Sequence, residues 1–197
     1  MLPFFENNEA FETLIILHAN SCLHRIALTL QILIDTLKEF EFYHLDDGED
    51  EFDEEKNDIA RKICNIVDAL AGHSSLNRFR LEGDEYQRVV GRNGWASLAD
   101  LLRKKTSNLT VLHLDFSHID DREATVLGTG ISRNTTLKEI RFNRIEGITN
   151  IGWNAIISVL QLSSCRLEKL DLSWNGLNDA VILSLSNALS TSAPLRL

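Results

Sequence analysis

Histidine and cysteine are the side chains best suited to acid–base, nucleophilic or metal chemistry, and in this chain their spacing supports none of it. The six histidines (His18, His24, His44, His73, His113 and His118) form no ligand-like cluster. Cys22 and His24 give a weak metal hint, better read as packing plus a surface imidazole. Cys22, Cys64 and Cys165 lie far apart with no CxxC. That suits reduced thiols inside a cell better than a disulfide framework or a zinc site. No P-loop, HExxH, G-x-S-x-G or dinucleotide fingerprint occurs. Gly128-x-Gly130 falls within a helical pattern and lacks the third glycine, so it reads as local accommodation and not as a phosphate cradle. The chain is expected not to be an enzyme, with no metal and no cofactor.

What remains is the chemistry of recognition, and the elements that position its residues are legible. The pattern Leu-x-x-(Leu/Ile/Phe)-x-(Leu/Phe) returns five times, beginning at Leu37, Leu76, Leu109, Leu137 and Leu167, at intervals of 39, 33, 28 and 30 residues. A near-constant period signals stacked supersecondary units, which bind macromolecules more often than they catalyse. In the cleanest unit, Leu170 and Leu172 share one face of a short strand by period two, and Leu170, like Leu112, is expected to be fully buried. Asn175 follows, placed to bond backbone groups in the turn. Asn178-Asp179 then offers an N-cap pair, and Leu185 and Leu189 continue at helical spacing with Val181, Ile182 and Ala188 in support.

The segment from Leu76 to Leu197 resembles the ribonuclease-inhibitor-like class of leucine-rich repeats. The matching residues are Leu109, Leu112, Leu114, Ile119, Leu127 and Ile131; Leu137, Ile140, Phe142, Gly152, Ile156 and Leu160; and Leu167, Leu170, Leu172, Asn175, Leu177, Leu185 and Leu189. The resemblance implies an α/β leucine-rich-repeat solenoid, a curved stack of strand-turn-helix repeats with a parallel sheet on the concave side and helices outside. Asn175 is the only clear consensus Asn, and insertions follow the strands at Leu76 and Leu137. Residues 1–36 are expected to be a degenerate N-terminal capping repeat, opened by Leu14-x-x-Leu17-x-Ala19 with Leu23, Ile26, Ala27 and Leu30 on its helix. Residues 37–75 form a repeat that accommodates an acidic insertion at 46–58. Residues 76–197 hold four regular repeats starting at 76, 109, 137 and 167, and a truncated next strand at 195 suggests a fragment of a longer chain.

On each strand, the side chains between the apolar positions should face the concave side. The central column reads Glu41, Arg80, His113, Arg141, Asp171; the one before it Glu39, Arg78, Val111, Glu139, Lys169; the one after it Tyr43, Glu82, Asp115, Asn143, Ser173. Phe116, Arg144 and Trp174 come one residue later. The predicted contact residues are Arg78, Arg80, His113, Asp115, Phe116, Arg141, Asn143, Asp171 and Trp174. Arg80, His113 and Arg141 share a column and cannot neutralise one another, so this wall could receive an acidic surface. Phe116 and Trp174 add the aromatic character of interface hot spots. Trp95 and Trp153 sit at helix starts and read as packing residues between adjacent repeats.

The formal charge of −9 is mostly local, because residues 46–58 hold nine acids against one lysine. The remainder is nearly neutral, the wrong balance for a nucleic-acid surface. The acidic run reads as a solvated loop. The most apolar stretch, Ile26 to Ile34, is nine residues, contains Thr29 and Gln31, and is too short to span a ~30 Å bilayer. The N-terminus, residues 1–18, has no basic n-region, so a cytoplasmic location is expected, with the nucleus as the alternative. Sequons at Asn108 and Asn134 then carry no weight. The function expected is a protein–protein interaction module, with no nucleic acid and no membrane, and nothing specifies an oligomeric state. Ran GTPase-activating proteins share this repeat class, so a regulator of a small GTPase is the alternative, followed by the sensor segment of a larger receptor.

Overall fold

The computed structural model describes residues 12–17, 26, 27, 30, 36–43, 63–83, 90 and 92–191. The acidic run 46–58, Cys22, His18, His24, His44 and the strand start at Leu195 lie outside them. Six strands form one all-parallel sheet in sequence order: β1 (Thr13–Leu17), β2 (Glu39–Tyr43), β3 (Arg78–Glu82), β4 (Val111–Asp115), β5 (Glu139–Asn143) and β6 (Lys169–Asp171). Parallel neighbours need crossovers of a dozen residues or more. After β3 those crossovers carry the helices α1 (Arg92–Arg103), α2 (Asp121–Arg133) and α3 (Asn150–Ile157), and α4 (Asp179–Thr191) follows β6. Residues 63–70 are also helical, between β2 and β3.

Alternation decides which face is buried. Phe40 and Phe42, Phe79 and Leu81, Leu112 and Leu114, and Ile140 and Phe142 are all at most 2% exposed, on the face the helices cover. Leu37, Leu76, Leu109, Leu137 and Leu167, which open the pattern, join the same core. Trp95 and Trp153 are buried with them. Successive helices pack side by side, and small residues bring them close. A Cβ on Gly130 would stand 2.8 Å from Ala99 Cα in α1, and one on Gly128 would stand 2.9 Å from the Ala155 carbonyl oxygen in α3. Those two glycines are therefore helix–helix contacts.

Caps tie the units together. Asp120 and Glu123 form a reciprocal capping box at the start of α2. The carboxylate of Asp121 accepts from Thr149 N, Thr149 Oγ1 and Gly152 N at the start of α3, and these bonds, Thr149 first, hold its pKa below the ordinary range. Asn108 donates to the Ser74 carbonyl and Asn134 to the Leu102 carbonyl, so both sequon asparagines serve as links to the preceding unit. Asn175 bonds the carbonyls of Phe142 and Leu172 and accepts from Ile145 N, as its place in the turn requires.

Two expectations are corrected. In β1, Leu14 pairs with Phe40 and Ile16 with Phe42, so Leu14 takes the second apolar position and not the first. The reading Leu14-x-x-Leu17-x-Ala19 is displaced by three residues, and Leu17 and Ile15 are exposed on the open face. Leu170, expected to be fully buried, is only half-buried, because among the described residues β6 has a neighbour on one side alone.

Candidate functional site

The five strands from β2 to β6 are paired in one continuous register, and this lines the side chains of the open face into columns. Glu39, Arg78, Val111, Glu139 and Lys169 stand in one column; Glu41, Arg80, His113, Arg141 and Asp171 in the next; Tyr43, Glu82, Asp115 and Asn143 in the third. Ser173 reaches the third column through its hydroxyl, which accepts from Asn143 Nδ2 at 2.8 Å. Arg78, Arg80, Arg141, Phe116 and Asp171 are half-buried, His113, Asp115 and Asn143 are buried, and Trp174 is 75% exposed.

The cations of this face do not stand alone, which corrects the sequence argument from the central column. Arg80 and Arg141 cannot neutralise each other, but the neighbouring column supplies Asp115 between them, with its carboxylate 3.5 Å from Arg80 and 2.9 Å from Arg141 Nε. Arg80 also donates to Glu82 at 2.8 Å and lies over the Tyr43 ring, 4.9 Å from its centroid. Arg141 lies 3.8 Å from Asp171, and Arg78 Nε lies 3.6 Å from Glu39. Glu139 takes contacts from both sides, His113 Nε2 at 2.8 Å and Lys169 Nζ at 2.9 Å. Diagonal neighbours across strands are within reach of long side chains, so they could have been read from the columns. Six acids stand against four cations in these columns, which leaves the face slightly acidic.

Asp115 is the centre of this network at 1% exposure. Its approach to Arg141 is an ion pair without hydrogen-bond alignment. Burial raises its pKa, against the opposing pull of Arg141 and Arg80. Glu139 shifts the other way: burial would raise it, but the bonds from Lys169 and His113 prevail and lower it. Asp171 is lowered by the hydrogen bond from the Ser173 hydroxyl, with Arg141 and Lys169 adding to it. Cross-strand pairing thus fixes the orientation of Arg80 and Arg141 while making them poor free cations.

The residues just past the strand ends behave differently. Phe116, Arg144 and Trp174 all have left-handed backbones, with φ of 50°, 52° and 63°. Glycine adopts this conformation freely, whereas other residues pay about 1–2 kcal/mol. The Arg144 guanidinium lies between two rings, 5.0 Å from the Phe116 centroid and 5.3 Å from the Trp174 centroid. The product is an aromatic–cation–aromatic ladder at the rim of the open face, ending in an exposed indole. The sequence columns already contained Arg144; what they could not show is its place between two rings. Among the described residues no group of three His, Cys, Asp or Glu is placed to hold a metal ion, and no helix is long and apolar enough to cross a membrane.

Comparison with known proteins is consistent with this picture at the level of fold. No family model and no curated protein matches the chain. Among solved structures, the tropomodulin C-terminal domain of Caenorhabditis elegans aligns with a TM-score of 0.61 at 14% identity, over 86% of this chain and 92% of that one. A structure described as Leiomodin-1 Actin-Binding Site 2 aligns with a TM-score of 0.56 at 17% identity, over 88% of each chain. At these identities the likeness is one of fold alone.

Proposed function

We propose that the chain is a leucine-rich-repeat interaction module of the ribonuclease-inhibitor-like class, which binds a protein partner across the open, concave face of its sheet. Its units open at Leu37, Leu76, Leu109, Leu137 and Leu167, with residues 1–36 as the cap. The observation that carries the reading is the Phe116–Arg144–Trp174 ladder, whose side chains are kept at a conformational cost and left at the surface. Exposed Trp and Arg on a rigid frame are the usual anchors of a protein interface, since little ordering is lost on binding. The slight acid excess of the face favours protein over nucleic acid. An acidic group of a partner would first meet Lys169, whose side chain is 66% exposed, against 35% or less for Arg78, Arg80 and Arg141. The free thiols of Cys64 and Cys165 fit a cytoplasmic or nuclear setting. A GTPase regulator or a receptor sensor would share the fold, and no residue of this face favours either.

The described leiomodin neighbour binds actin, so purified actin is the first partner to try. Monomeric and filamentous actin would be titrated against the fluorescently labelled chain, with Trp174→Ala and Arg141→Glu as variants. Binding that both variants weaken supports the reading. Should actin not bind, a photo-crosslinker at position 174 replaces it in lysate. Crosslinks formed only from control positions on the helices would overturn the concave-face assignment.

A further inference from the structure

The inner side of β6 is served by two cations of the preceding unit, spaced three residues apart. Arg141 approaches Asp171 at 3.8 Å, and Arg144 stacks on Trp174. On the outer side of β6, among the described residues, no strand is paired and no hydrogen bond or ion pair reaches it. Trp174 is 75% exposed, and the Asp171 side chain keeps 34% of its surface beyond its contacts with Arg141 and Ser173. Leu170 and Leu172 are half-buried against the core, as are Leu177, Leu185 and Leu189. A strand added at ~4.8 Å would drop its side chains into these same columns.

We propose that the outer edge of β6 receives an extended basic segment of the partner protein, added as a parallel strand. One cation lies beside Asp171 and a second, three residues on, stacks on Trp174, while the apolar residues flanking the first cation cover Leu170 and Leu172. The pattern is apolar-Arg-apolar-x-Arg, which the inner neighbour already displays as Ile140-Arg141-Phe142-Asn143-Arg144. Main-chain bonds to an open edge supply affinity in such additions, and the side-chain columns supply selectivity. The inference rests on the protein-binding reading for its class of partner, but it uses no group of β3 or β4. Trp174 belongs to both readings, so the two are separated by the peptide itself, whose arginine-to-glutamine control tests the edge alone.

The test uses the full chain and a fluorescein-labelled peptide containing Ile-Arg-Phe-Asn-Arg, read by anisotropy, with a control in which both arginines are glutamine. Iodide quenching gives a second readout, because Trp174 is exposed while Trp95 and Trp153 are buried at 1% and 3%. The expected result is binding that shields tryptophan from iodide, is weakened by salt, and falls about five-fold for the glutamine peptide and for Trp174→Ala. Trp174 is a surface residue, so that variant folds; Asp171→Lys should weaken binding in the same direction. Equal affinity for arginine and glutamine peptides, unchanged binding by Trp174→Ala, or no anisotropy change at about 1 mM peptide would each overturn the proposal.

Discussion

The unit built on β4 and the unit built on β6 share one sequence pattern and differ in what surrounds them. Leu112 and Leu114 are sealed at 0% exposure between β3 and β5, under helices that close in at Gly128 and Gly130. Their counterparts Leu170 and Leu172 remain half-buried, and on α4 Ile182 and Leu183 are exposed. Burial in a stacked fold belongs to the neighbours as much as to the residue, because each unit contacts only the units beside it. A leucine pattern thus predicts a strand reliably, and a sealed core only where both flanks are occupied.

The largest expected effect tests that difference directly. Leu112→Ala should destabilise the fold by ~2–5 kcal/mol, since the cavity it leaves lies inside rigid packing. Leu170→Ala should cost about 1 kcal/mol, close to the transfer term of a half-buried side chain alone. Denaturant unfolding of the two variants reads the contrast, and equal losses would mean that the end of the sheet is covered as well as its middle. Next comes backbone approach. Gly130→Ala should cost about 1–3 kcal/mol, because its Cβ would strike Ala99 backbone at 2.8 Å. Gly176→Ala meets nothing within 4 Å and should cost only about 1 kcal/mol, from its φ of +58°. A reversed order would place the tight contact at the end unit instead. Asp120→Ala removes the capping box of α2 and should cost about 1 kcal/mol, seen as a lower thermal midpoint.

The strand columns were legible because two signals coincide: period-two alternation within each strand, and intervals long enough for a crossover between strands. Every interior register from Glu39 to Asp171 follows from them. The first strand escaped for a physical reason. Leu14, Ile15, Ile16 and Leu17 are all apolar, so no alternation marks the inward pair, and the pairing partner alone decides it. The charge network was misjudged because same-column residues were weighed and diagonal ones were not; Asp115 belongs to a different column from the two arginines that it holds. None of the three left-handed positions, Phe116, Arg144 and Trp174, is itself a glycine or asparagine that would announce it. Only the shared offset from each opening leucine ties them together, and that offset says nothing about φ.

The smallest expected effect lies in acid, where two carboxylates of the same face should pull in opposite directions. Asp171 has a lowered pKa, so its contribution to stability is present above the unfolded value of about 4 and is lost as pH falls through the folded value. Asp115 has a raised pKa, so the folded chain holds that proton more tightly than the unfolded one. Its contribution is full below about 4 and is lost as pH rises through the folded value. On going from pH ~5 to ~3, Asp171→Asn should therefore make the fall in stability shallower than in the wild type, and Asp115→Asn should make it steeper. Urea unfolding at several pH values reads the two slopes. Two shallower slopes would mean that the arginines beside Asp115 outweigh its burial, and the buried ion triad would then stabilise the sheet instead of merely orienting Arg80 and Arg141.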